Sequence, residues 1–260
     1  MSVPLHVDTQ GHGPPLVLLH GWAMHSGIWG GLVADLARRH RVHAVDLPGH
    51  GFSAPEPSFT IEGVVRSLDA AFAAERSPLT VIGWSLGGQI ALVWALAHPE
   101  RIARLVLVAA TPRFVTGDGW EHAMPGETLQ RFGDELGVAW KATVLRFLTL
   151  QMRGSEHGHA TLAAMRAELF ARGEPSKNTL TEALAVLSTT DLRAEVGRIA
   201  QPALVIAGER DTLTPAAAGE WLAAAMQSGR CARIDGAAHA PFLSHPDEFG
   251  KAIRGFLHAG

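Results

Sequence analysis

Four short runs in this chain are apolar almost throughout, and that constrains its fold more than any other feature. They cover residues 16–19, 42–45, 79–82 and 105–109. A strand with one wet face alternates apolar and polar side chains; a short run without that alternation reads as a strand covered on both sides. The residues between the runs recur at helical spacing. Ile61, Val64, Val65, Leu68 and Phe72 form one such stripe, and Ile90, Val93, Trp94 and Ala97 form another ahead of Pro99. Strand-helix alternation of this kind predicts an α/β fold, a mostly parallel sheet flanked by helices. Leu5-His6-Val7-Asp8-Thr9 alternates and predicts an antiparallel edge strand.

The rhythm stops after Ala110. The next buried-strand pattern is 203–207, followed by a last short strand at 231–234 and a final helix opened by Pro246-Asp247-Glu248. The interval is mostly helical in pattern, and a structureless loop of that length inside a compact domain is improbable. The expectation is a core built from 1–111 and 191–260, with 112–190 as a helical cap over it.

Composition removes several function classes. Of 260 residues, 47% are hydrophobic and 18% charged, enough to bury a sizeable core. The net charge of −3 argues against a globally basic nucleic-acid binder. No apolar run approaches the ~18 residues of a membrane span. Met1-Ser2-Val3-Pro4 has neither the basic start nor the apolar stretch of a secretory leader. Cys231 is the only cysteine, which excludes an internal disulfide and a Cys-rich metal site. A cytoplasmic setting is expected.

Gly83-Trp84-Ser85-Leu86-Gly87 is a G-x-S-x-G motif between an apolar strand pattern and a helix. In that context the serine sits on a strained strand-to-helix turn, its hydroxyl projecting above the sheet edge. A hydroxyl is a weak nucleophile until a base takes its proton. Of fourteen histidines, His239 is placed best, on a loop past the last strand at the carboxyl edge of the sheet. His245 precedes Pro246 and reads as a helix cap, His98 as a helix end, and His157 and His159 as surface residues of the cap. The imidazole needs an orienting carboxylate. Asp211 follows the 203–207 strand and is preferred over Glu209, while Asp235 reads as a turn residue and Asp191 as an N-cap. The order Ser85, Asp211, His239 is the one expected on this scaffold. An oxyanion would need two donors, assigned to the backbone N–H groups of Leu86 and Trp22. His20 and the 46–53 loop read as architectural. No metal or organic cofactor is required by this chemistry.

Together these residues resemble the α/β-hydrolase superfamily along essentially the whole chain. A narrower resemblance rests on Leu18-Leu19-His20-Gly21-Trp22, Gly83-Trp84-Ser85-Leu86-Gly87-Gly88, Arg146-Phe147-Leu148-Thr149-Leu150-Gln151 and His239-Ala240-Pro241-Phe242-Leu243-Ser244-His245-Pro246. These segments are similar to those of the pimeloyl-[acyl-carrier protein] methyl ester esterases of biotin synthesis. That resemblance implies a serine carboxylesterase acting on a methyl ester borne by acyl carrier protein. It implies that Trp22, Leu86 and the stretch Phe147, Leu148, Thr149, Leu150 and Gln151 line an acyl channel beside Ser85 and His239. It also implies that the cap docks the carrier. The 138–154 segment carries Lys141, Arg146 and Arg153 and no acid, a basic stripe fit for an acidic carrier surface or simply a solvated helix face. The cap as a whole is not basic, with 8 Lys/Arg against 9 Asp/Glu. A monomer is expected. Two other readings stay open: a short-chain carboxylesterase or C–C bond hydrolase, and a non-catalytic ligand binder of the same fold. Dehalogenase and epoxide hydrolase chemistry are disfavoured, because both use an aspartate where Ser85 stands.

Overall fold

The apolar runs become the inner strands of a seven-stranded sheet in the computed structural model, which describes residues 3–258. Met1 and Ser2, half of the stretch on which the leader reading rests, lie outside the described residues, as do Ala259 and Gly260. In chain order the strands are β1 (Val7–Gln10), β2 (Pro15–Leu19), β3 (Arg41–Val45), β4 (Leu79–Trp84), β5 (Ile102–Val108), β6 (Ala203–Gly208) and β7 (Gly229–Ile234). Their spatial order is β1-β3-β2-β4-β5-β6-β7. β1 pairs antiparallel with β3, and every other pairing is parallel. β2, β4 and β6 are buried at every residue, whereas β1 and β7, at the sheet edges, are largely exposed or half-buried. β1 begins two residues later than the 5–9 alternation suggests. His6 is engaged instead by the loop after β3, through Asp46 N–H to its carbonyl at 3.0 Å and its own N–H to Ser53 Oγ at 2.8 Å.

The helices are α1 (Gly31–Leu36), α2 (Ile61–Ala71), α3 (Leu86–Ala97), α4 (Gly126–Gln151), α5 (Gly158–Glu168), α6 (Lys177–Thr189), α7 (Ala216–Ala225), α8 (Pro241–Ser244) and α9 (Pro246–Leu257). Thr60 starts α2 by accepting the Gly63 N–H, and Glu62 lies at its positive end. α3 packs on β4 and β5, and α7 packs on β6 and β7. No described helix is long and apolar enough to cross a membrane.

Between β5 and β6 the chain contributes α4, α5 and α6. The approach to α4 is irregular rather than helical, closed by short bridges such as Val115 with Met124. The two ends of the excursion meet where Leu192 N–H donates to Pro112 O at 2.9 Å and Arg113 pairs with Asp191 at 3.0 Å. Asp191 is therefore not the helix cap its sequence context suggests. Its carboxylate accepts from Arg193 N–H two residues on, in a turn, and binds two arginines. α4 is broken at Ala139, whose φ of −141° and ψ of 55° are not helical. The excursion is seated on the core by Trp22 Nε1–H to Leu180 O (2.9 Å), Ser176 N–H to Gly49 O (2.9 Å) and Phe59 N–H to Glu182 Oε2 (2.6 Å).

Candidate active site

Ser85 stands between the end of β4 and the start of α3 with φ 54° and ψ −114°, a left-handed backbone that side chains other than glycine rarely adopt. Two glycines make the turn possible. A Cβ on Gly83 would lie 2.3 Å from Gly87 O, and one on Gly87 would lie 2.2 Å from Leu19 O. Strand, helix and the neighbouring β2 thus approach more closely than any side chain would allow. Ser85 N–H is held by Val108 O at 2.9 Å, so the turn is tied to β5 as well.

Asp211 lies three residues beyond β6 and His239 five beyond β7, at the same carboxyl edge of the sheet. The structure brings the three together. His239 Nε2 is 2.9 Å from Ser85 Oγ, and His239 Nδ1 is 2.7 Å from Asp211 Oδ2. All three are buried, Ser85 with 7% of its surface still open and His239 with none. Asp211 is further fixed by Leu213 N–H (2.8 Å), Thr214 N–H (3.1 Å) and the Thr214 hydroxyl (2.6 Å). His239 is positioned from its backbone: its N–H donates to Gln151 O at 3.2 Å and its carbonyl accepts the Trp84 indole N–H at 2.8 Å. Thr214 and the hold of the Gln151 carbonyl on His239 were not legible in the sequence, although Gln151 itself stands in the implied channel lining. Thr214 carried a signal, a hydroxyl three residues after an aspartate at a turn; the Gln151 carbonyl carried none.

Leu86 opens α3, so its N–H has no acceptor within the helix. The parallel register pairs Leu19 with Gly83, so Trp22 and Leu86 each lie three residues past one matched position, on loops leaving adjacent strands. Gly21 packs on the Trp84 ring, where a Cβ would meet ring carbons at 3.0 Å. Trp22 itself is buried, its ring 4.8 Å from Phe147.

The 147–151 stretch does not present one face. Successive helical residues turn by about 100°. Phe147, Leu148 and Gln151 are accordingly buried, while Thr149 is exposed and Leu150 half-buried. Thr149 and Leu150 join Arg146, Arg153, His159 and Leu162 around a groove of ≈ 440 Å³ between α4 and α5. This separates the resemblance's single channel lining into an inward set and an outward set. The basic stripe is also weaker than its sequence count. Lys141 pairs with Glu174 and Arg146 with Glu135, both acids lying outside the segment; Arg153 has no ion-pair partner among the described residues.

Beneath the site, Asp46 accepts Ser26 N–H at 2.7 Å and Phe52 N–H at 3.0 Å. Burial alone would raise its carboxyl, but these donors hold it below the ordinary value. His20 accepts the Leu47 N–H at Nε2 (3.0 Å) and places Nδ1 2.8 Å from Gly21 O. Burial, helped by neighbouring His50, pushes His20 down to about 3; burial pushes His50 down to about 4. Both rings are neutral spacers of the 46–53 loop at neutral pH.

Comparisons with known proteins agree on the fold and the family. The sequence pattern of the alpha/beta hydrolase fold family matches residues 14–246. The pimeloyl-[acyl-carrier protein] methyl ester esterase of Xanthomonas campestris pv. campestris is 43% identical over 255 residues, covering 98% of this chain and 99% of that one. The protein of the same name from Nitrosomonas europaea is 44% identical over 247 residues, covering 94% and 96%. Among solved structures, an esterase from Exiguobacterium antarcticum superposes with a TM-score of 0.90 at 21% identity, covering 98% of this chain and 96% of that one. A hydrolase from Pseudomonas aeruginosa gives 0.80 at 28%, covering 98% and 94%.

Proposed function

The chain belongs to the α/β-hydrolase fold family and is a carboxylic ester hydrolase, and from that premise we propose that it hydrolyses the methyl ester of a pimeloyl chain borne on acyl carrier protein. The observation that carries the substrate is the near-full-length identity of 43% to relatives of that name. The reaction releases methanol and frees the distal carboxylate, the step the relatives' name describes, in biotin synthesis.

In this reading Ser85 Oγ attacks the ester carbonyl as His239 Nε2 takes its proton, and Asp211 holds the imidazolium through Nδ1. The N–H groups of Leu86 and Trp22 receive the oxyanion. His239 returns the proton to the leaving methoxide, and water then cleaves the acyl-enzyme with His239 as base. The 2.9 and 2.7 Å contacts support these roles. Phe147 and Leu148 offer the acyl chain an apolar wall beside Trp22. The groove between α4 and α5, with Arg146 and Arg153 on its margin, is the place for an acidic carrier surface to settle. The enzyme is read as a cytoplasmic monomer.

The test compares kcat/KM on pimeloyl-carrier methyl ester with that on free p-nitrophenyl esters, alongside growth without biotin of a strain lacking its own methyl esterase. Preference for the carrier-borne ester and restored growth are expected. Preference for free esters with no restored growth overturns the substrate and leaves a short-chain carboxylesterase.

A further inference from the structure

A second cluster of chemically capable side chains, made of residues other than Ser85, Asp211 and His239, gathers where α8 meets α9. His245 joins the end of α8 to the start of α9 and is 92% buried, with a relative exposure of 8%. Its ring is held in one tautomer by a relay. Ser244 Oγ–H donates to Ala240 O at 3.2 Å, so Ser244 Oγ accepts from His245 Nδ1–H at 2.8 Å. With Nδ1–H donating to Ser244, Nε2 is the ring's acceptor, buried and without a hydrogen-bond partner among the described residues. A buried acceptor with no donor is costly unless something else fills the role.

Two exposed ligand types stand in front of that ring. One ligand atom from each of Glu156, His157 and His245 lies within 4.8 Å of the others, and the His157 and His245 ring centroids are 5.1 Å apart. Glu156 is steered here by its backbone, whose N–H donates to Gly236 O at 3.1 Å. Its Oε1 accepts from Arg210 at 3.0 Å, leaving the second carboxylate oxygen for another partner. The three residues share an open hollow of ≈ 730 Å³ with Asp235, Glu248 and Lys251. Tetrahedral zinc ligands at about 2.0–2.1 Å from the metal sit about 3.3 Å apart. Glu156 and His157 are exposed, so small side-chain rotations close the remaining gap.

We infer that Glu156, His157 and His245 form a binding site for a borderline divalent cation of the Zn²⁺, Co²⁺ and Ni²⁺ class. Two imidazoles and one carboxylate favour these ions over Ca²⁺ and Mg²⁺, which prefer oxygen ligands alone. Three protein ligands leave a fourth position to water. The hydroxyl of Ser244 supplies the outer hydrogen bond that fixes a metal-binding imidazole. Such an ion does not enter the ester reaction. It ties the turn before α5 to the corner between α8 and α9, six residues beyond His239, and so clamps part of the β5–β6 excursion to the loop carrying the base.

The experiment is calorimetric titration of the untagged full chain with ZnCl₂, repeated with CaCl₂, and a Co²⁺ absorption spectrum. The expected result is one Zn²⁺ per chain, no measurable Ca²⁺ binding, and visible Co²⁺ bands of tetrahedral intensity. His157→Ala, an exposed change that leaves the fold intact, weakens Zn²⁺ binding about tenfold or more, and Glu156→Gln weakens it too. His159→Ala, an exposed histidine outside the cluster, leaves it unchanged. Equal binding by wild type and His157→Ala, equal loss in His159→Ala, or no Zn²⁺ binding at neutral pH overturns the site.

Discussion

The carboxyl edge of the sheet and the α4–α6 excursion above it are built on opposite terms. At the edge, Ser85, Asp211 and His239 are buried and each is held by several hydrogen bonds from different strands and loops. In the excursion, α4 is broken at Ala139, Val138 beside the break is 91% exposed, and Lys141 and Arg146 pair with acids across the surface. Reaction geometry needs atoms placed to fractions of an ångström, which only a packed, over-determined scaffold supplies. Docking of the carrier proposed above needs area and charge, which a half-exposed helical layer would provide and could vary without disturbing the chemistry.

The largest test of that division is Ser85→Ala. It is expected to lower kcat by about 10⁶ on carrier-borne and free esters alike while leaving the melting temperature near wild type. Labelling by a fluorophosphonate should be lost with it. Activity surviving at the wild-type level would place the nucleophile elsewhere.

Acid separates the regions next. His20 and His50 are buried neutral beneath the edge, lowered to about 3 and about 4 from an ordinary 6.5. The unfolded chain therefore binds more protons than the folded one below about pH 6.5. Stability from these rings is fully present above that pH and is lost as pH falls toward 4, by up to about 1.4 kcal/mol per pH unit for each ring. Denaturant melts between pH 7 and 4 should show the fall, and His50→Asn should make it shallower. An unchanged slope in that variant would show that other groups drive it.

The same contrast governs what could be read in advance. Strands covered on both faces announce themselves, because no partner is needed to see that 16–19 or 105–109 lacks a polar side. The Gly83–Gly87 spacing likewise encodes a local steric fact, and the chain order of Ser85, Asp211 and His239 follows from strand ends sharing one rim. The excursion was harder because its facing depends on what it rests against. Helical rotation turns Thr149 out and Phe147 in, which a contiguous match to relatives cannot reveal. Lys141 and Arg146 counted as free positive charge because Glu174 and Glu135 come from outside the counted segment. Asp191 resembled a cap until Arg113, 78 positions away, claimed its carboxylate. The Gln151 carbonyl that holds His239 is backbone, which no side-chain pattern reports.

Backbone contact at the edge predicts a further asymmetry. Gly83→Ala drives a Cβ to within 2.3 Å of Gly87 O, where no flexible side chain can yield. A loss of about 1–3 kcal/mol in unfolding free energy is expected, with reduced kcat as Ser85 shifts. Urea titration checks it, and wild-type stability and turnover together would mean that strand and helix have room to part.

Charge on the outer layer has a smaller and more selective effect. Arg153 borders the groove between α4 and α5 and has no acidic partner to neutralise it among the described residues. Arg153→Glu is expected to raise KM for the carrier-borne ester about fivefold, more at low salt than at high, and to leave free-ester kinetics unchanged. Equal changes on both substrates would move the carrier away from this groove.

The smallest effect has the opposite sign. Gly133 lies within α4, where an added Cβ meets nothing closer than Leu184 Cδ2 at 3.8 Å, an ordinary contact. Glycine in a helix interior costs chain entropy without return, so Gly133→Ala should stabilise the protein by about 0.5–1 kcal/mol. Turnover on free esters should not change, because the added methyl group meets only Leu184 of α6. The same substitution thus destabilises at residue 83 and stabilises at residue 133. If Gly133→Ala instead slows turnover on the carrier-borne ester alone, mobility of α4 is part of substrate entry, and the looseness of the outer layer serves the reaction as well as recognition.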